Sequence, residues 1–288
     1  MTGETWREVL ARVGGALAAP GEAWRILEEA SGFDRAHLVG HLAAVAPARA
    51  VAYVDELVAR RVAGEPLQYV LGQWGFRRLD LLVDRRVLIP RPETEVVAEV
   101  AIDEVRRLVP WDRPTPPLVA DIGTGSGAIA LALADEVSRA RVWATDVSPD
   151  AVAVARANLA GAGSLLGPRV RLLTGSWLEP LPQELRGRLD VVVSNPPYVG
   201  ADEDLPAEVA DWEPVGALVS GPTGLEGIEA VVAGAAGWLA RPGAVVVEIA
   251  PHQADEASAL ARGAGFDEVE VRSDLADRLR VLVGRYRG

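Results

Sequence analysis

The spacing of apolar side chains divides the chain into an amino-terminal part of helical period and a longer part where short apolar runs alternate with helical stretches. Trp6, Val9, Leu10, Val13 and Leu17 recur at helical spacing until Pro20-Gly21 breaks the run. A second helix is predicted over Ala23–Ala30, and a third over Arg35–Val45 with Asp34 as its N-cap. The fourth, Ala48–Val62, sets Val51, Val54, Leu57 and Val58 on one face. Gly64-Glu65-Pro66-Leu67 closes this part, so residues 1–72 read as a small helical domain without a glycine-rich loop. His37 and His41 lie four apart, a spacing that can present two metal ligands, but no cysteine or third nearby histidine completes a site.

Residues 73–90 have strand character, with Trp74, Phe76, Leu79, Leu81 and Val83 before Asp84-Arg85-Arg86 and Val87-Leu88-Ile89 after it. The expectation is a linking β-hairpin turning at Asp84–Arg86. In Ile89-Pro90-Arg91-Pro92-Glu93-Thr94-Glu95 two prolines impose an extended entry, and Glu93 to Glu95 open a helix reaching Leu108. The carboxylates suit a helix N-terminus as dipole partners; the rigid Pro-Arg-Pro equally suits a ligand-facing loop.

Beyond the proline-rich connector 110–117 the pattern is that of a parallel α/β sheet. Strands are predicted at Leu118–Asp121, Arg141–Asp146, Val170–Leu173, Asp190–Ser194 and Ala244–Ile249. Helices are predicted at Gly127–Glu136, Pro149–Ala160, Leu225–Leu239 and Gln253–Arg262. Glu268–Arg272 and Arg280–Tyr286 read as a closing antiparallel hairpin. The loop 199–224 is long enough to suggest a functional role.

Composition narrows the function classes. The chain is 49% hydrophobic and 24% charged, with a formal net charge of −12, no cysteine and arginine as its only strongly basic residue. Disulfides and thiolate sites are excluded. The acidic balance makes a nucleic-acid substrate an unfavourable expectation, because affinity for nucleic acid comes largely from neutralising phosphates. No apolar run reaches the eighteen or so residues of a membrane span. The amino terminus lacks the apolar core of a secretory signal, so cytoplasmic residence is expected.

The chemistry gathers at predicted strand ends. Val191-Val192-Val193 runs into Ser194-Asn195-Pro196-Pro197-Tyr198, where adjacent prolines cannot continue a sheet ladder. The stop leaves an amide, a rigid backbone and an aromatic ring where ligands sit in open α/β sheets. These groups suit gripping a flat NH2-bearing moiety; they include no nucleophile. Asp121-Ile122-Gly123-Thr124-Gly125-Ser126-Gly127 links the first parallel strand to its helix. Its G-x-G-x-G spacing is one residue shorter than the dinucleotide form, and Asp121 disfavours a pyrophosphate while suiting an ammonium. Asp146 ends the second parallel strand, where a carboxylate can accept ribose hydroxyls. Trp177 follows the third, as an adenine wall or as a core residue. Together these groups describe S-adenosylmethionine.

At this point the chain resembles the class I S-adenosylmethionine-dependent methyltransferases. More narrowly, it resembles the protein-(glutamine-N5) methyltransferases of peptide chain release factors, of HemK/PrmC type. The likeness runs through Gly64–Leu67, Ile89–Glu95, Asp121–Gly127, Ser194–Tyr198, Glu213-Pro214, Ala217-Leu218 and Asp274-Leu275-Ala276. It implies a Rossmann-like seven-stranded domain over 91–288, S-adenosyl-L-methionine as cofactor and S-adenosyl-L-homocysteine as product. The implied partners are class 1 release factors, methylated on the glutamine of a Gly-Gly-Gln loop. Carried over, Asp121 and Gly123, Thr124, Gly125, Ser126 and Gly127 serve the methionine side, Asp146 the ribose and Trp177 the adenine. Arg91, Pro92 and Glu93 face the cofactor, and Asn195, Pro196, Pro197 and Tyr198 clasp the glutamine. Ser176 stands where the family often has an acid, and Trp212 where phenylalanine or tyrosine is usual. An adenine-N6 methyltransferase, a nicotinamide oxidoreductase and a non-catalytic cofactor-binding scaffold are the rival readings.

Overall fold

The computed structural model describes residues 3–288 and falls into two compact units. One comprises the residues up to Gln73 together with Pro206–Trp212; the other comprises Trp74–Leu205 and Glu213–Gly288.

The first unit contains α1 (Trp6–Ala16), α2 (Pro20–Ser31), α3 (Arg35–Gly40), α4 (Ala48–Val62) and α5 (Leu67–Leu71). Thr5 and Glu8 form a reciprocal capping box at α1, which satisfies two otherwise unpaired backbone donors. Trp6, Val9, Ile26, Leu27, Leu38, Val54 and Leu57 are buried together as its core. α3 ends five residues before its expected limit. Residues 42–46 instead pair with the chain start, through Trp6 N–H to the Ala44 carbonyl and Ala46 N–H to the Glu4 carbonyl. α5 was not expected, being too short for periodicity to show. The Arg60 guanidinium holds its entry by donating to Glu65 and to the carbonyls of Tyr69 and Val70.

The second unit takes in, from Trp74 on, the hairpin β1 (Gln73–Phe76) and β2 (Leu79–Leu82), then α6 (Pro92–Leu108), β3 (Leu118–Ile122), α7 (Ala128–Glu136), β4 (Arg141–Asp146), α8 (Pro149–Gly161), β5 (Val170–Thr174) and β6 (Leu189–Ser194). A helical turn, α9 (Ala207–Ala210), belongs to the first unit. After it come α10 (Glu226–Ala235), β7 (Leu239–Glu248), α11 (Ala254–Gly263), β8 (Glu268–Ser273) and β9 (Leu279–Tyr286). The hairpin turns at Arg77-Arg78 rather than at Asp84–Arg86. Arg77 takes a left-handed φ of 52°, its N–H donating to Glu95 and its guanidinium pairing with Glu136. Asp84–Val87 is a separate turn that hands the chain to the extended entry of α6.

The seven-stranded sheet has the order β5-β4-β3-β6-β7-β9-β8, parallel except for β9, which runs antiparallel to both neighbours. This is the expected α/β class with its closing hairpin. α6, α7 and α8 cover one face and α10 and α11 the other, so the central strands are buried on both sides. That explains the unbroken Val191-Val192-Val193 run, fully buried in β6. α10 ends at Ala235 rather than Leu239, because the Trp238 carbonyl accepts from Arg188 and Leu189 and draws residue 239 into the sheet. Strand order reverses between β3 and β6, which makes the carboxyl ends of β3, β4 and β6 a topological switch point.

Candidate active site

β3 and β6 end side by side, and the Ser194 hydroxyl donates to the Ile122 carbonyl at 2.6 Å. On one side of this tie the glycine loop crosses to α7, and on the other Asn195-Pro196-Pro197-Tyr198 leaves the sheet. Between them lies a cavity of about 690 Å³.

Gly123, Thr124, Gly125 and Ser126 line it, with Asp146, Trp177, Asn195 and Pro197. Gly127 lies behind this wall at φ 86°, where a Cβ would come within 3.3 Å of Ala155 on α8. Asp146 is held at both oxygens, by Gly125 N–H at 2.9 Å and Ser148 N–H at 2.9 Å. Each oxygen keeps lone pairs for a second donor, which makes the fixed carboxylate a receptor for paired hydroxyls. Burial pushes its pKa up, against the pull of those two N–H groups. Trp177 takes a left-handed φ of 46°, and its carbonyl accepts the Thr145 hydroxyl at 2.7 Å. The fold thus fixes an unfavourable backbone conformation at Trp177, which lines the cavity and also packs against the core beneath α10 and α11.

Asp121 is not brought to the cavity. Its carboxylate turns into the glycine loop, where Oδ2 accepts from the Thr124 hydroxyl at 2.6 Å and from Ala130 N–H at 3.1 Å. Oδ1 has no hydrogen-bond partner among the described residues, and burial pushes the group up to about 7. Arg91, Pro92 and Glu93 also fall outside the lining, whereas Val87, Leu88, Pro90 and Thr94 from the same segment belong to it. Arg91 turns away to pair with the buried Glu213, which also accepts from Ile89 N–H at 3.2 Å. The segment is therefore anchored through its arginine and presents its apolar and hydroxyl side chains to the cavity.

The Asn195 side chain is held at one end only. Its Nδ2 donates to Thr94 Oγ1 at 3.2 Å, while its Oδ1 is buried with no partner among the described residues. Pro196 and Tyr198 do not line the cavity itself. Tyr198 directs its hydroxyl at Glu248, 3.5 Å away, and burial beside that carboxylate raises its pKa. Gln253 locks the backbone of this segment by donating to the carbonyls of Tyr198 at 2.9 Å and Gly224 at 3.2 Å.

Thr94, which lines the cavity, and Glu248, which lies behind it and accepts from Thr94, are not marked by the sequence reading. Thr94 stands inside the Pro-Glu-Thr-Glu string, where the pattern signals only a helix start. Glu248 had a readable signal: like Asp121 and Asp146, it is an acid closing an apolar strand. Among the described residues no group of three or more His, Asp or Glu side chains is placed to hold a metal. His37 and His41 both stack on Phe33, with ring centroids 6.4 and 5.1 Å apart, respectively.

Residues 5–72 match the family model of the PrmC N-terminal domain and residues 110–210 that of the methyltransferase small domain. The release factor glutamine methyltransferase of Bordetella pertussis is 42% identical over 93% of this chain and 97% of its own. The protein of that name from Moorella thermoacetica is also 42% identical, over 97% of this chain and 98% of its own. Among solved structures, a methyltransferase from Pyrococcus furiosus superimposes with a TM-score of 0.54 at 17% identity, covering 80% of this chain and 98% of that one, a likeness of fold. Identity of this degree along nearly the whole length, carried by a chain whose glycine loop, Asp146, Asn195 and Pro197 meet at one cavity, makes it a member of the release factor glutamine methyltransferase family.

Proposed function

We infer that the chain transfers a methyl group from S-adenosylmethionine to the side-chain amide nitrogen of a glutamine in a peptide chain release factor, releasing S-adenosylhomocysteine. The single observation carrying this reading is the buried, unpartnered Oδ1 of Asn195 at the end of β6, beside a cavity whose far wall holds a diol-receiving carboxylate.

The residues fit the cofactor. The volume lies within the roughly 300–1,000 Å³ of small-molecule sites. Asp146 has acceptors for a ribose diol, Trp177 an apolar plane for adenine, and the glycine loop a backbone that a ligand can approach closely. When bound, the sulfonium supplies a methyl group on a neutral thioether leaving group.

The chain's own residues must overcome the weak nucleophilicity of an amide nitrogen, whose lone pair is delocalised into its carbonyl. Asn195 Oδ1 and the Pro196 carbonyl would accept its two N–H groups, aim the lone pair and stabilise positive charge as it develops on nitrogen. Tyr198, packed against the core with its hydroxyl toward Glu248, would back Asn195 and Pro197 from behind the cavity wall. Transfer would leave the glutamine nitrogen with one proton too many, which would pass to water, while the Asn195 and Pro196 oxygens hold the N–H groups until it leaves. The helical unit, which matches the PrmC N-terminal model, would hold the body of the factor. No helix among the described residues is long and apolar enough to cross a membrane. A translation factor as substrate would put the reaction in the cytoplasm.

Incubation with labelled S-adenosylmethionine, an intact release factor and DNA tests the assignment. Label is expected on the factor's glutamine, and Asn195→Ala is expected to lose turnover far more than cofactor affinity. Label in the DNA, or near-normal turnover by Asn195→Ala, would replace this reading with an adenine methyltransferase or a different acceptor geometry.

A further inference from the structure

We propose that Thr94 and Glu248 are positioning residues that set which end of the Asn195 amide faces the substrate. The inference rests on the role given to Asn195 above, and it follows from the direction in which each hydrogen bond can run.

Glu248 closes β7, next to β6 in the sheet, and is fully buried. Its Oε2 lies 2.7 Å from Thr94 Oγ1, and Thr94 itself is buried at the first turn of α6. A carboxylate only accepts, so the single Thr94 hydroxyl proton must point at Glu248. Thr94 Oγ1 then has only lone pairs to offer Asn195, and the Asn195 group 3.2 Å away must be the NH2 end. The amide oxygen is thereby turned the other way, where it is buried without a partner. Among the described residues the Asn195 side chain makes no other hydrogen bond, and shape does not orient it, because the two ends of an amide are nearly equal in size. The reversed amide would present N–H to a substrate N–H and repel it. Glu248 thus reads through Thr94 to the substrate acceptor without touching substrate.

A protonated Glu248 would weaken this control, since it could donate to Thr94 and free the threonine proton for the amide oxygen. Burial pushes Glu248 up to about 7. The Thr94 hydroxyl and the nearby Arg280 of β9 oppose that rise; Glu93 adds to it, and the Tyr198 hydroxyl donates weakly from the clasp. Turnover should accordingly rise with pH across this range.

The test uses the full chain with an intact release factor, measuring kcat, KM, pH profile and S-adenosylhomocysteine affinity. Thr94→Val, which keeps the shape and removes the relay, should lower kcat by about 10–100-fold, the scale of a reacting group misplaced by an ångström. Its affinity for S-adenosylhomocysteine should stay within about threefold, and Thr94→Ser should restore most of the turnover. Glu248→Gln can present either an oxygen or an N–H to Thr94, so the rise in turnover near pH 7 should flatten. Thermal melts of each variant separate loss of positioning from loss of fold. Wild-type kcat in Thr94→Val, or an unchanged pH rise in Glu248→Gln, overturns the relay; the latter would point to Asp121 as the titrating group. Asn195→Ala, run in parallel, separates the two claims. If it is inactive while Thr94→Val is normal, only the relay falls; if it is active, the acceptor role of Asn195 falls first.

Discussion

Gly227 offers a test in which two effects of opposite sign compete. It is the second residue of α10, and a Cβ there would lie 2.8 Å from the Pro197 carbonyl oxygen, 2.9 Å from Ser220 Oγ and 3.2 Å from Pro196 Cβ. Replacing a helical glycine with alanine gains about 0.5–1 kcal/mol where there is room. Here there is none: two of the three neighbours belong to the rigid diproline, and Ser220 Oγ is already engaged by Gly227 N–H at 2.6 Å. Inserting a methyl group into such packing costs about 1–3 kcal/mol. The difference leaves Gly227→Ala destabilised by up to about 2.5 kcal/mol. The larger effect should be on catalysis, because relief of the clash pushes Pro196 and Pro197, and with them the Asn195 acceptor, off position. A loss of about 10-fold or more in kcat is expected, with cofactor affinity much less affected. Urea denaturation and steady-state methylation of an intact release factor measure the two effects. Gly14→Ala is the control: Gly14 lies within α1, and its Cβ would meet nothing within 4 Å, so stability should rise by about 0.5–1 kcal/mol. A Gly227→Ala protein more stable than wild type with unchanged kcat would refute the idea that α10 braces the clasp.

Two further outcomes follow from the charged groups. Asp146→Ala should weaken S-adenosylhomocysteine binding by about 10–100-fold, the value of charge-assisted hydrogen bonds to a diol, while folding is retained; calorimetry showing an unchanged affinity would remove Asp146 from the site. The ligand-free protein should be most stable in mildly acidic solution. Asp121 and Glu248 are both raised to about 7 by burial, so the folded state holds their protons longer than the unfolded chain and loses stability as pH rises through 5 to 7. Glu104 works in the other direction: burial opposes its ionisation, but hydrogen bonds from Arg285 and Arg107 hold it below the usual carboxylate range, so its contribution is lost only as pH falls below about 4.5. Urea midpoints that are flat or rising between pH 5 and 8 would contradict the burial argument for the two raised carboxyls.

The chain's local chemistry was legible wherever it repeats or stops abruptly. Alternating apolar runs and helical stretches specified the α/β unit, because a parallel strand buried on both faces must be apolar throughout. The diproline after Val193 marked the end of a strand, since proline lacks the donor that a ladder needs. Glycines at a strand-to-helix junction and acids closing strands marked where a ligand could approach. The limits of α3 and α10 were not legible, because the backbone groups of residues 42–46 and 238 are claimed by partners distant in sequence. Nor could spacing tell which face of the Ile89–Glu95 segment reaches the cavity. That depended on Glu213, 122 residues from Arg91 in sequence, drawing the arginine away and leaving Thr94 in the wall.

From the sequence alone came the fold class, the glycine loop and Asp146 at the ends of parallel strands, and the Asn-Pro-Pro-Tyr stop after β6. Only the tertiary structure decided that Asp121 turns inward and that Asn195 leaves its oxygen unpaired. It alone joined Thr94 and Glu248 to that choice across 154 residues of chain. The reason is physical: secondary structure and turn chemistry are set by neighbours along the backbone, whereas the direction of a buried hydrogen bond is set by whichever donors and acceptors the folded sheet brings within reach.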